Sequence, residues 1–335
     1  MPFISVIMPC CNPGMRHLGI VLEALRNQTL PMDEWELILV DDASKEPLRG
    51  RVDLSWHPGA RVVETDPERK GIGLVGSRLW GSEHACGQVC VFVDQDNALR
   101  SDYLQGVAAI AREHPKIGTW GGQILLKFDE PDKAPEPWLR GALCTRELAH
   151  DIWSNDIHHH ASTPWGAGLC VRHEVLELYR QSVEENPHRR LLDPSPRRPG
   201  FGGDSDISYA GCRAGFGKGA FKRLIMDHLM PVGRCSDEYL LRTAEANGYS
   251  TVMHGYVEHG TATPPRNDWR YWLLAWVKRP RRRRLEWEIE MARREGMWKA
   301  VAQITGNAEE LRDYAAELAE RAWGLKNRNG AGSRD

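Results

Sequence analysis

The order of apolar and polar positions lays out an alternation of strands and helices. Residues 3–8 are an apolar run of strand formers, cut by Pro9 and the turn residues Asn12, Pro13 and Gly14. Leu18, Val21, Leu22 and Leu25 then recur at helical spacing. Residues 35–40 predict a second buried strand, 61–64 a third, and a helix follows from about residue 72. Val89, Val91, Phe92 and Val93 have the composition of a strand buried on both faces, and a helix pattern starts after Ser101. Alternation of this kind through residue 113 predicts an α/β fold with a doubly wound, mostly parallel sheet.

Another strand region is expected at 116–128, after which periodicity is lost from 129 to 165 apart from an amphipathic piece near 138–153. Residues 164–177 read as a small-residue turn around Trp165, a strand and a helix. A glycine-rich approach leads into a helix whose core face includes Ile207 and Tyr209, and His228 ends a short apolar run. From about residue 261 the character changes. Trp269, Trp272, Leu273 and Trp276 share one helical face, Pro280 and Arg281 to Arg284 follow, and 307–326 predict a further helix.

Candidate chemistry enters at the strand ends. Ligands of parallel sheets sit at the carboxyl ends of strands. The second strand ends in Asp41 and Asp42, and the run at 89–93 ends in Asp94, Gln95 and Asp96. Two carboxylates flanking one residue at such a place are a seat for a hard divalent cation and the phosphates it holds. Both acidic clusters and the Pro9–Cys11 turn are therefore expected to face one crevice. Arg78 is suited to reach a phosphate there. Asp204 and Asp206 open a helix, and for Asp206 stabilising that helix N-terminus is the simpler account.

Composition narrows the partners. A formal net charge of -2 gives no global basic field for nucleic acid. The eight cysteines include no C-x-x-C pair, which points to reduced thiols in a cytoplasmic protein. The N-terminus lacks the basic and apolar regions of a signal peptide, and no apolar run reaches the ~18 residues of a spanning helix. Gly71, Gly73 and Gly76 spell a dinucleotide fingerprint, but it does not follow directly on a strand, so a nicotinamide cofactor is set aside. His158, His159 and His160 cannot all reach one ion from regular structure and read as a solvated loop. The Trp/Arg segment near 269–284 offers weak peripheral contact with the inner face of a membrane. Glutamates follow it at once, which favours a helix packed on the main domain with a solvated basic turn.

Taken in order, SVIMPCCNP, LILVDDAS, FVDQDN, WGAGLCVRHEV, FGGDSDI and MDHLMPVGR resemble bacterial family 2 glycosyltransferases of the GT-A fold. The resemblance covers roughly residues 3–260. It implies a catalytic domain at 1–260, with a nucleotide-binding half to residue 115 and an acceptor half from 116. Residues 261–327 would be a helical extension and 328–335 a disordered tail.

The resemblance implies a nucleotide-diphosphate sugar donor, with UDP the family's commonest nucleotide. Pro9 and Asp42 would hold base and ribose, Arg78 would lie near the diphosphate, and Asp94 would touch the ribose or sugar. Asp96 and His228 would ligate Mg²⁺ or Mn²⁺, and Asp204 would be the general base. Trp165, Gly166, Ala167 and Gly168 would line the sugar and acceptor pocket. The acceptor is a glycan, a lipid-linked glycan or a small molecule. No second nucleophilic carboxylate stands out, so inversion is predicted. Two departures bear on this: Gly203 replaces the glutamate expected before Asp204, and Cys10–Cys11 replace a threonine–tyrosine pair. They motivate the alternative of a catalytically silent GT-A domain acting as a scaffold.

Overall fold

The computed structural model describes residues 1–66, 72–192, 201–266, 270 and 284–306. Strand and helix alternate first as β1 (Ile4–Cys10), α1 (Met15–Arg26), β2 (Trp35–Asp41), β3 (Ala60–Glu64), α2 (Gly73–Glu83) and β4 (Val89–Phe92). Then come β5 (Asn97–Leu99), α3 (Tyr103–Glu113), β6 (Ile117–Phe128), β7 (Ile152–Ser154), β8 (Cys170–Arg172) and α4 (His173–Glu185). The chain continues through α5 (Gly203–Arg213), β9 (Gly217–Met230), α6 (Asp237–His259) and α7 (Arg284–Gly306).

These strands form one nine-stranded sheet in the order β3-β2-β1-β4-β8-β6-β9-β5, with β7 paired to β9. The β3-β2-β1-β4 block and the long β6–β9 ladder are parallel and hold most of the paired residues. The short strands β5, β7 and β8 run antiparallel to their neighbours. Alternation within each strand feeds two cores. Val6, Met8, Leu37, Leu39 and Val91 pack with α1 and α3, while Ile7, Ile38, Val40 and Phe92 pack with α2, α4 and α5. The sheet is doubly wound, as expected.

Several boundaries differ from the sequence reading. β1 runs through Pro9 to Cys10 instead of stopping before it. The ladder gives the reason. Odd residues of β1 face β4, as in the bond from Val93 N–H to Ile7 O, and the β1–β4 pairing has ended by Ile7 and Phe92. The missing N–H of Pro9 therefore costs no ladder bond. The stretch near 138–153 forms a 3-10 turn at Pro137–Leu143 and then β7. Tyr209 is half-buried, leaving Ile207 on the core face of α5.

One buried acid anchors the sheet at the start of its strands. Glu36, 4% exposed, accepts hydrogen bonds from Ser5 Oγ (2.6 Å), Cys86 N–H (2.6 Å) and Arg61 Nη1 (2.7 Å). Burial opposes its charge, but these donors outweigh burial and hold the carboxyl below its usual range. A folded pKa below the unfolded value gives stabilisation that is present at neutral pH and lost as pH falls below about 4.3. Glu36→Ala is expected to cost about 3 kcal/mol in urea unfolding at pH 7 and markedly less near pH 3.

α6 was not expected. Ser236 caps its start by accepting from Tyr239 N–H (3.2 Å), and Gly260 closes it in the left-handed conformation at φ 68°. α7 crosses α6 at two glycines. A Cβ on Gly248 would lie 1.8 Å from Arg293 O, and one on Gly296 would lie 1.9 Å from Glu245 O. Backbones touch there only because neither residue has a side chain. The expected Trp269–Trp276 helix, the arginines 281–283, the 307–326 helix and the 328–335 tail lie outside the described residues. No helix among those described is long and apolar enough to cross a membrane.

Candidate active site

The carboxyl ends of β1, β2 and β4 point to one side of the sheet, and three groups of side chains meet there. The first is at the end of β2. Asp41 is used locally, accepting from Ser44 N–H (3.0 Å) and Leu48 N–H (2.8 Å) to shape its own turn. Asp42 reaches across to α2, accepting from Ile72 N–H (3.3 Å) and Gly73 N–H (3.2 Å). α2 has no side-chain cap of its own, so Asp42 satisfies its orphan donors from the neighbouring strand. Pro9 is buried at the end of β1, and exposed Cys11 lies close enough to Asp42 for that carboxylate, after burial, to push its thiol pKa up.

The second group surrounds Arg78, which is 2% exposed. Its Nη2 donates to Asp94 Oδ1 (3.0 Å) and to Gly166 O (3.1 Å), and its Cζ lies 5.3 Å from the Phe92 ring centroid. A Cβ added to Gly166 would sit 3.1 Å from Arg78 Nη1 and 3.2 Å from Asp204 Oδ2. The glycine backbone is thus held between guanidinium and carboxylate. Asp204 stands in the first turn of α5, its Oδ1 accepting from Ser205 N–H (2.8 Å). Trp165 is half-buried, with Arg146 5.6 Å from its ring centroid. Ala167 and Gly168 lie inside: Tyr103 Oη donates to Gly168 O (2.8 Å), and Gly168 has φ 69° with Tyr103 Oη 2.5 Å from any Cβ.

The third group is Asp96, His228 and Arg234. The β5–β9 ladder pairs Asn97 with His228 and brings Asp96 beside it. Asp96 Oδ2 lies 3.8 Å from His228 Nε2 and 2.7 Å from Arg234 Nη1, which is itself 3.3 Å from His228 Nε2. Burial raises the Asp96 pKa, but His228 and Arg234 outweigh it and leave the carboxyl below its usual range. Among the described residues no three His, Cys, Asp or Glu gather as a metal-holding group. The pair Asp96–His228 nevertheless fits a cation that takes its other ligands from a diphosphate and water. A carboxylate oxygen and an imidazole nitrogen converge, and the positive charge of Arg234 already sits against both.

Cys144 marks where the groups converge. It is left-handed at φ 55°, and its thiol is pushed up to about 12 by burial and then by Asp204, Asp94 and Asp96, with Arg234 pulling the other way. Asp94, Asp96 and Asp204 therefore share one neighbourhood. Arg234 and Cys144 were not picked out from the sequence. Arg234 ends the MDHLMPVGR motif, which was the available signal; Cys144 had none.

Other singled-out residues have structural work. Asp206 is fully buried and paired with Arg189, which also meets Glu258 at 3.2 Å. A Cβ on Gly76 would lie 2.8 Å from Arg190 Nη2, so this glycine seats an arginine whose Nη2 donates to Ile72 O (2.7 Å). Gly71 lies outside the described residues. His158 and His160 are exposed, and the His159 carbonyl accepts from Lys218 Nζ (2.7 Å). At Gly203, where the resemblance would place a glutamate, a Cβ would meet Val75 Cγ2 at 2.2 Å.

Comparison with known proteins follows the same lines. A family model described as Glycosyl transferase family 2 matches residues 5–185. N-acetylgalactosaminyltransferase 4 of Drosophila melanogaster is 32% identical over 124 residues, 36% of this chain and 19% of that protein. Glycosyltransferase AglE of Haloferax volcanii is 23% identical over 180 residues, 53% of this chain and 55% of that protein. The chain thus spans from about a fifth to about half of these two relatives' length. A mannosyltransferase of Pyrobaculum calidifontis, solved with GDP-Man and Mn²⁺, superposes with a TM-score of 0.50 at 18% identity. That superposition covers 97% of this chain and 88% of the other.

Proposed function

The chain belongs to glycosyltransferase family 2 and has the GT-A fold, and from that premise we propose that it is an inverting glycosyltransferase using a nucleotide-diphosphate sugar. The observation that carries this reading is the convergence of Arg78–Asp94, Asp96–His228–Arg234 and Asp204 beyond the strand ends. Pro9 and Asp42 take the nucleoside end, where Asp42 already orders the loop into α2. Residues 1–260 form the catalytic domain, with α7 in the extension that follows.

Each residue has a distinct task. Arg78 is locked to Asp94 and to the Gly166 carbonyl, so Asp94 is oriented before any donor arrives. Asp96 and His228 would hold Mg²⁺ or Mn²⁺, with the imidazole favouring Mn²⁺. When bound, that ion supplies Lewis-acid stabilisation of the departing diphosphate. Arg234, paired with Asp96, would add its charge beside the same phosphates.

Asp204 accepts the proton of the acceptor hydroxyl as the new O–C1 bond forms. The C1–O bond to the nucleotide breaks, and its electron pair leaves with the diphosphate. A single base acting opposite the leaving group inverts C1.

The test is a panel of UDP- and GDP-sugars scored for nucleotide release with and without acceptor sugars. Release that stops with EDTA and returns with Mn²⁺ is expected. Turnover indifferent to chelation removes the metal from the proposal, and no turnover with any donor removes the activity.

A further inference from the structure

Asp204 also lines a cavity of about 540 Å³ between the start of α5 and the α6–α7 pair. Its size falls in the range of ~300–1,000 Å³ common to small-ligand sites. Asn247, Thr251 and His254 follow at helical spacing on one face of α6, and Arg293 enters from α7. The backbone of Arg293 is held at the helix crossing, where its carbonyl lies against Gly248, while the residue itself is exposed. Phe201, 47% exposed, offers a flat apolar face to the same space.

Arg293 brings a fixed positive charge to the cavity lining. Arg284 and Lys299, also on α7, are paired with glutamates, whereas Arg293 has no ion pair among the described residues. Its planar fork is suited to a carboxylate or phosphate. The Asp204 carboxylate repels that same anion, so the charged group and the reacting hydroxyl must lie at different ends of the ligand.

We propose that this cavity is the acceptor site and takes a sugar bearing a carboxylate or phosphate, its free hydroxyl toward Asp204 and its anion toward Arg293. The assignment depends on the glycosyltransferase reading above. Phe201 stacks on the apolar face of the sugar ring, and Asn247 and His254 meet ring hydroxyls.

Saturation-transfer NMR on the full chain, with UDP and Mn²⁺ present, tests it with methyl glucuronide, glucose 6-phosphate and methyl glucoside. At least one anionic probe is expected to bind more tightly than the neutral one, and comparing the two identifies the anion. Arg293→Gln is expected to weaken the preferred anion about tenfold while leaving methyl glucoside and UDP unchanged. Equal binding of all three, no binding of either anion, or anion binding insensitive to Arg293→Gln overturns the proposal. UDP binding in the same sample keeps the readings apart. If UDP binds and the anions do not, only the acceptor assignment falls; if UDP does not bind, the donor reading falls.

Discussion

Asp204→Asn is expected to lower sugar transfer by about 10²–10⁴-fold while leaving nucleotide binding nearly unchanged. The side chain stays isosteric, so the contact with Ser205 N–H and the spacing from Gly166 are preserved. The donor pocket therefore keeps its shape, and what is lost is a group able to take the hydroxyl proton. Isothermal titration with UDP and Mn²⁺ should match the parent chain, with the deficit confined to kcat. A variant retaining full transfer activity would remove Asp204 from the mechanism. A variant that no longer binds UDP would make its role architectural.

Arg78→Met is expected to have the larger effect on stability. The guanidinium is almost wholly buried and links Asp94 of the β4 turn to the Gly166 carbonyl of the turn before β8. Its loss leaves Asp94 unpaired near Asp96 and Asp204, and leaves the Gly166 carbonyl without its donor. Removing one partner of a buried ion pair costs about 3–5 kcal/mol. Urea unfolding should report that loss, and donor turnover should fall by at least about 10²-fold with loss of the preset geometry. Arg78→Lys keeps a charge but not the fork that spans both acceptors, so it should recover stability in part and turnover little. Unchanged stability in Arg78→Met would show that the pairing is incidental.

The packing at Gly203 bears on the departure from the motif that this stretch resembles. The position presses against Val75 of α2 with no room for a Cβ, so 203 offers no side chain beside Asp204. The cysteines at 10 and 11 differ from each other in the same way. Burial, then Asp41 and Asp94, push Cys10 up to about 12, which makes it a packed neutral thiol, while Cys11 is exposed beside Asp42.

By itself the sequence determined the local features. Continuous apolar runs ending in acid marked β2 and β4, helical patterns marked α1 and α3, and the resemblance of the motifs pointed to Asp42, Asp94, Asp96, Asp204 and His228. The elements follow from side-chain periodicity and the strand-end aspartates from which chain ends a parallel sheet shares, whereas Asp204 and His228 rested on the resemblance. Tertiary structure decided what depends on register between distant segments. Gly166 comes between Arg78 and Asp204, and Arg234 folds back from the turn after β9 onto Asp96. α6 escaped notice because its buried residues surround it instead of forming one stripe, packing toward both the 187–192 turn and α7. Charge, spacing and propensity act over a few residues. Which carboxylate meets which arginine is set by strand register and helix crossing, and those exist only once the sheet has formed.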